Sequence, residues 1–155
     1  MVAMIDIIEE INKIIEEKFP DDTVYINLQP KDFTRPCTVI ELVDVERTDA
    51  SRNTISVVAS FAITCFTEID GHYRSDLERL VERQHEIIDL FACGYLKVGD
   101  RCLHLSAGTG GAESAFSYID IRLEYFDDRP TISEEYPIAE SVATKIRTEE
   151  KDGTP

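Results

Sequence analysis

The sequence predicts an α+β fold, a two-layer sandwich in which two helices pack on one face of a mostly antiparallel or mixed sheet. Two segments carry apolar residues every third or fourth position, and the remaining apolar residues alternate every second position. The alternating runs follow one another through short polar loops, which favours sheet partners that are neighbours in the chain. A length of 155 residues with 43% hydrophobic content suits a single core.

The first helix spans Met4 to Lys18, where Met4, Ile5, Ile8, Ile11, Ile14 and Ile15 form a stripe opposite Glu9, Glu10, Lys13, Glu16 and Glu17. Pro20 and the Asp21-Asp22 pair end it, because proline disfavours helical backbone at Phe19 and carboxylates sit badly at a helix C-terminus. A strand follows from Thr23 to Leu28, with Val24, Ile26 and Leu28 on its buried side. The two prolines between Gln29 and Pro36 mark a loop. A second strand runs from Cys37 to Asp44, and the polar stretch Val45 to Arg52 is of hairpin-loop length.

The third strand, Asn53 to Thr67, sets Ile55, Val57, Ala59, Phe61, Ile63 and Cys65 on one wholly apolar face. A strand this long and apolar belongs at the centre of the sheet, since an exposed edge would invite aggregation. Asp70-Gly71-His72 is a turn, and Ser75-x-x-Glu78 reads as a capping box that starts the second helix. Leu77, Leu80, Val81, Ile87, Ile88 and Phe91 continue its stripe, and Gly94 supplies a left-handed cap. Short strands at Tyr95 to Val98 and Cys102 to Ser106 flank the Gly99-Asp100 turn. A last strand, Phe116 to Phe126, sets Ile119, Ile121, Leu123 and Tyr125 inward and Tyr118, Asp120, Arg122 and Glu124 outward. We therefore expect one domain over residues 1–127, followed by an acidic tail or arm over 128–155 with one weak helix near Ile138, Val142 and Ile146.

Charge limits the partners. Asp and Glu number 31 against 16 Lys and Arg, a net charge of −15, so neither a phosphate backbone nor an anionic membrane is an expected partner. The longest apolar run, Val57 to Phe66, is interrupted by Ser60 and Thr64 and is too short to span a bilayer. The N-terminal residues lack the basic and apolar regions of a signal peptide, and we expect a cytosolic protein.

No catalytic residue, cofactor or metal is expected. Cys37, Cys65, Cys93 and Cys102 include no closely spaced pair, and His72, His85 and His104 have no second histidine one helical turn away. Cys37 and Cys65 lie in apolar strand patterns and read as small buried hydrophobes. Ala107-Gly108-Thr109-Gly110-Gly111-Ala112 lacks the Lys-Ser/Thr ending of a phosphate loop and precedes a strand, so we expect a flexible hairpin loop. What remains is a surface. Asp120, Arg122 and Glu124 share the sheet's open face with Ser60, Thr64 and Glu41. The loops carrying Phe33, Arg35, Arg47 and Arg52 offer an aromatic and basic groups to acidic patches on another copy. A small ligand-binding module or enzyme using the space between sheet and helices is the alternative from another class.

The helix Ile5 to Lys18, the strand Val24-Tyr25-Ile26, the strand start Arg35-Pro36-Cys37-Thr38-Val39-Ile40, the long strand Asn53 to Thr67, the helix Leu77 to Phe91 and the last strand Phe116 to Tyr125 resemble phage tail terminator and tail-completion proteins. The likeness covers about Met4 to Phe126 and is to the version found in prophages of Gram-positive bacteria. It implies a subunit of a ring, six-membered as a rule, on the head-proximal end of the tail tube. There the ring stops tube polymerisation and meets a head-neck connector protein. It implies assembly in the host cytoplasm, a final place in the virion tail, and DNA passing through without specific binding. The surface reading supplies the expected subunit or tube interface of such a ring: Phe33, Arg35, Arg47, Arg52, Gly108, Gly110, Asp120 and Arg122. Another neck or minor capsid component of related fold fits the same pattern.

Overall fold

The computed structural model describes residues 1–130. Its elements are α1 (Met4–Lys18), β1 (Thr23–Ile26), β2 (Cys37–Asp49), β3 (Thr54–Phe66), α2 (Leu77–Leu90), β4 (Tyr95–Val98), β5 (Arg101–Ala112) and β6 (Ser117–Asp128). The strands form one mixed sheet in the order β1-β2-β3-β6-β5-β4, curled into a half-barrel, with β1 parallel to β2 and every other pair antiparallel. This is the expected α+β class, and β3 is central, as its length and apolar face demand.

The core lies between the helices and one face of the sheet. Ile7, Ile8, Ile11 and Ile15 from α1 and Ile87 from α2 meet Val57, Ala59, Phe61 and Ile63 of β3 and Ile119, Ile121 and Leu123 of β6. The stripe of α1 is rotated from its expected position: Ile7 is fully buried, whereas Ile5 is 54% exposed. On α2 Leu77 is exposed, and the sheet-facing positions after Leu80 are filled by Arg83 and Gln84 before the apolar stripe resumes at Ile87. Arg83 Nη1 meets Asp22 at 2.7 Å, with its guanidinium 3.7 Å from the Phe19 ring centroid, so an ion pair clamps α2 to the end of α1. Gln84 Nε2 donates to the carbonyls of Tyr118 and Gly111, fastening α2 to β5 and β6.

Several boundaries differ from expectation. The first strand stops at Ile26, because Asn27 adopts left-handed backbone (φ 54°), leaving Leu28 exposed. The second strand does not end at Asp44. Glu46 to Asp49 pair with Val58 to Ile55, and the hairpin loop shrinks to residues 50–53. The charged side chains of Glu46 to Asp49 belong to an exposed strand, where a net negative charge discourages pairing with another copy of this acidic chain. The cap of α2 is Asp76, whose carboxylate accepts from the Glu78 N–H at 3.1 Å; Ser75 instead donates to the Ala115 carbonyl. Gly94 is left-handed (φ 78°) as expected, though it lies beyond the C-cap residue Phe91.

The largest correction concerns the glycine-rich stretch. It is the second half of β5, paired with β6 from Ala107↔Ile121 to Ala112↔Ser117, and the turn lies beyond it at residues 113–116. A bulge between Ala107 and Thr109 interrupts the ladder at Gly108. At Gly110 the backbones approach so closely that a Cβ would lie 1.9 Å from the Tyr118 carbonyl oxygen. Gly110 and Gly111 allow this close approach to Tyr118, Gly108 takes up the left-handed backbone of the bulge (φ 128°), and the segment is a strand. β6 continues through Asp128, and the Arg129 N–H donates to the Asn53 carbonyl. The weak helix expected near Ile138, Val142 and Ile146 lies outside the described residues.

Candidate functional site

In antiparallel pairs, residues directly opposite share a face, so the register defines the side turned away from the helices. One transverse row there is Asp44, Ser60, Arg122 and Ser106; the next is Glu46, Val58, Glu124 and His104. Between the first row and the one carrying Glu41, Ala62 and Asp120, both outer strands are bulged at the same level. β2 slips at Val43 and β5 at Gly108, on either side of the regular β3–β6 pair. An extra residue in each strand bends the sheet locally. The result is an open depression of about 610 Å³ lined by Val43, Ser60, Ser106, Gly108, Asp120 and Arg122.

Three of the expected residues, Gly108, Asp120 and Arg122, therefore meet at one place. Arg122 Nε donates to Glu124 at 2.9 Å, an exposed pair on the same strand face. Gly110 lies just beyond, pressed against β6. Arg47 and Arg52 are exposed at the hairpin end of the sheet, away from the depression. Phe33 and Arg35 are used internally. The parallel β1–β2 pair needs a crossover, and residues 27–36 carry it over the sheet face opposite the helices. There Phe33 stacks on Phe66 at 4.8 Å and joins Cys37, Val39 and Phe116 in a second small core. The Arg35 guanidinium lies over both rings and donates to the Thr67 and Ala115 carbonyls. The face called open is thus covered at this end.

Val43 and Ser106 were not anticipated as site residues. Their signal is a slip in alternation: Ile40 and Leu42 face inward on even numbers, whereas Val45 does so on an odd one, which requires one extra residue between them. In β5 the corresponding signal is Gly108 itself, a glycine inside a strand.

The titratable groups show no activated nucleophile among those whose values are shifted. Burial pushes the Cys65 thiol up to about 12, against the lowering influence of Arg83, Ser117 and Thr38. Burial likewise holds Cys37 at about 11, with Arg35 opposing it. Both are protonated at neutral pH and therefore unreactive. Among the described residues no group of three or more His, Cys, Asp or Glu is placed to hold a metal ion, and no helix is long and apolar enough to cross a membrane. Phe61, Ile63 and Leu80 are fully buried where the ligand-module alternative would need a cavity.

What the geometry offers is a contoured outer sheet face on an α+β scaffold whose core between helices and sheet is built of buried aliphatic and aromatic side chains. The family model of phage tail terminator proteins matches residues 6–135, and the chain belongs to that family. It is accordingly a structural protein of the phage tail, with its place in the virion tail. No curated protein matches the chain. Among the solved structures that match, one is similar at 16% identity with a TM-score of 0.43, over 84% of this chain and 99% of that chain, a likeness too slight to carry an argument.

Proposed function

We propose that this protein terminates the phage tail by forming a closed ring, of six copies by the family resemblance, on the head-proximal end of the tail tube. The ring stops tube polymerisation and presents the surface that joins tail to head. Family membership over residues 6–135 is the observation that carries this reading. A ring needs two different patches that meet when copies are related by a closing rotation. The bulged depression at Gly108, Asp120 and Arg122, with Gly110 beside it, and the hairpin end bearing Arg47 and Arg52 are well-separated candidates. Phe33 and Arg35 contribute indirectly, by fixing the crossover. A net charge of −15 suits a ring through which DNA slides, because repulsion of phosphate opposes stable binding. The partners are further copies of the chain, the tail-tube protein and a head-neck connector protein. Assembly takes place in the host cytoplasm, and the segment 128–155 acts as an arm in the assembled ring.

The test is tube growth. Purified tail-tube protein is polymerised with increasing amounts of this protein, and tube length is followed by light scattering. Mean length falls as the ratio rises, and preformed tubes stop elongating. Tubes that grow equally long at every ratio would overturn the reading.

A further inference from the structure

We infer that the outer edge of β2 from Val43 to Asp49 is a docking site for an extended, net basic segment of another tail protein, which adds to the sheet as a strand. This rests on the tail role proposed above and goes beyond it by naming where a partner binds and what it is made of. The edge is prepared by β1, which covers only the first four residues of β2, Cys37 to Ile40. Asn27 then ends the pairing: its N–H donates to the Ile40 carbonyl at 2.8 Å, and its side-chain carbonyl accepts from the Leu42 N–H at 2.9 Å. From Val43 onward no strand lies beyond β2 among the described residues. An uncovered strand edge presents its outward backbone groups as a template for an added strand.

Two further features give that strand a composition. Where β1 stops, an open notch of about 480 Å³ lined by Asn27, Glu41, Leu42 and Val43 leaves Val43 64% exposed, so an aliphatic side chain can lie against Leu42 and Val43 beside the Glu41 carboxylate. Glu41, Asp44 and Glu46 along the same edge are exposed, and their side chains have no hydrogen bond or ion pair among the described residues. Asp44 and Glu46 project on the face away from the helices, Val45 and Arg47 on the other, so a matching strand carries basic residues on the first face and an aliphatic residue beside Val45 on the second. Charge disfavours the rival occupants. A second copy brings a net charge of −15, and residues 131–155 of this chain carry six acidic against three basic groups.

The probe is a blocked heptapeptide of alternating lysine and valine, with glutamate replacing lysine in the control. It is added to the full chain while amide hydrogen exchange is followed. The expected result is slowed exchange confined to residues 43–49 and their neighbours, absent with the glutamate peptide and weakened at least tenfold in affinity by Asp44→Lys with Glu46→Lys. Unchanged exchange at 43–49, or equal binding by the double variant, would overturn the inference. So would an edge already protected in the protein alone: protection that falls on dilution assigns it to a second copy, and protection that persists assigns it to this chain. The double variant is also assayed in tube growth. Termination by wild-type protein and equally by the variant refutes the docking edge and leaves the terminator reading intact. Failure of the wild-type protein refutes the terminator reading, while the peptide experiment still reports on the edge.

Discussion

Asp127 shows what a single side chain contributes to closing this sheet. It is 3% exposed, pairs with Arg101 Nη1 at 3.0 Å and accepts from the Val2 N–H at 2.8 Å, tying the chain ahead of α1 to the ends of β5 and β6. Burial works against its ionisation, but the N–H groups of Val2 and Asp128, the N-terminal ammonium and Arg101 outweigh it and hold the carboxyl below its ordinary value of 3.8. Because the folded value lies below the unfolded one, the unfolded chain takes up the proton first. The contribution is complete above the unfolded value and is lost as pH falls through the folded one. Replacing Asp127 by Ala is expected to cost about 1–2 kcal/mol at pH 7, since it removes the acceptor of part-buried donors that water partly re-satisfies, and to flatten stability against pH below about 4. Denaturant titrations of both proteins across that range check this. Gly110 provides a steric test: Gly110→Ala places a methyl group against the Tyr118 backbone, an overpacking cost of about 1–3 kcal/mol that lowers Tm by several degrees, whereas Gly71→Ala, with nothing within 4 Å, leaves Tm nearly unchanged. Thiol reactivity should separate the cysteines as well. Cys93 and Cys102, which are exposed, react with an aromatic disulfide in the native protein, and Cys37 and Cys65 react only on unfolding.

Among the elements, the clamp between the helices carries more than its polarity suggests. The Arg83–Asp22 pair occupies a sheet-facing position of α2, with Arg83 17% and Asp22 7% exposed in their side chains. Arg83→Ala leaves an unpaired, largely buried carboxylate and is expected to destabilise by about 3 kcal/mol; joint replacement by Met and Asn, which removes both charges, costs much less. Thermal unfolding of the single and double variants measures the difference. The same elements show what the sequence could reveal. Both helices and the central strand were legible, because α1 and β3 bury whole apolar stripes and burial dictates periodicity. The outer strands were less so. After Val45, β2 is polar on both faces, and half of β5 from Ala107 to Ala112 is glycine, so neither displays the alternation that distinguishes a strand from a loop. Of the expected surface residues, Gly108, Asp120 and Arg122 came together because they flank one bulge. Phe33 and Arg35 could not be placed from sequence, since only the parallel β1–β2 crossover brings them onto Phe66.

At the scale of the molecule, a strongly acidic subunit must find partners despite its charge. Copies carrying −15 repel one another, so the ring proposed above needs local complementarity and the tube as a template, and its closure is expected to strengthen as salt screens the repulsion. Crosslinking of neighbouring copies on tubes at about 50 mM and about 300 mM salt is the check: the yield per bound copy is expected to rise with salt and a fall would contradict the argument, whereas docking of a basic segment on the β2 edge, which joins opposite charges, weakens with salt. The central claim is that the protein acts at one end of the tube as a closed ring, and electron microscopy of tail tubes assembled in its presence tests it most directly. The account predicts a ring of density capping a single end of each tube. Density along the tube wall, at both ends, or absent from tubes altogether would contradict it.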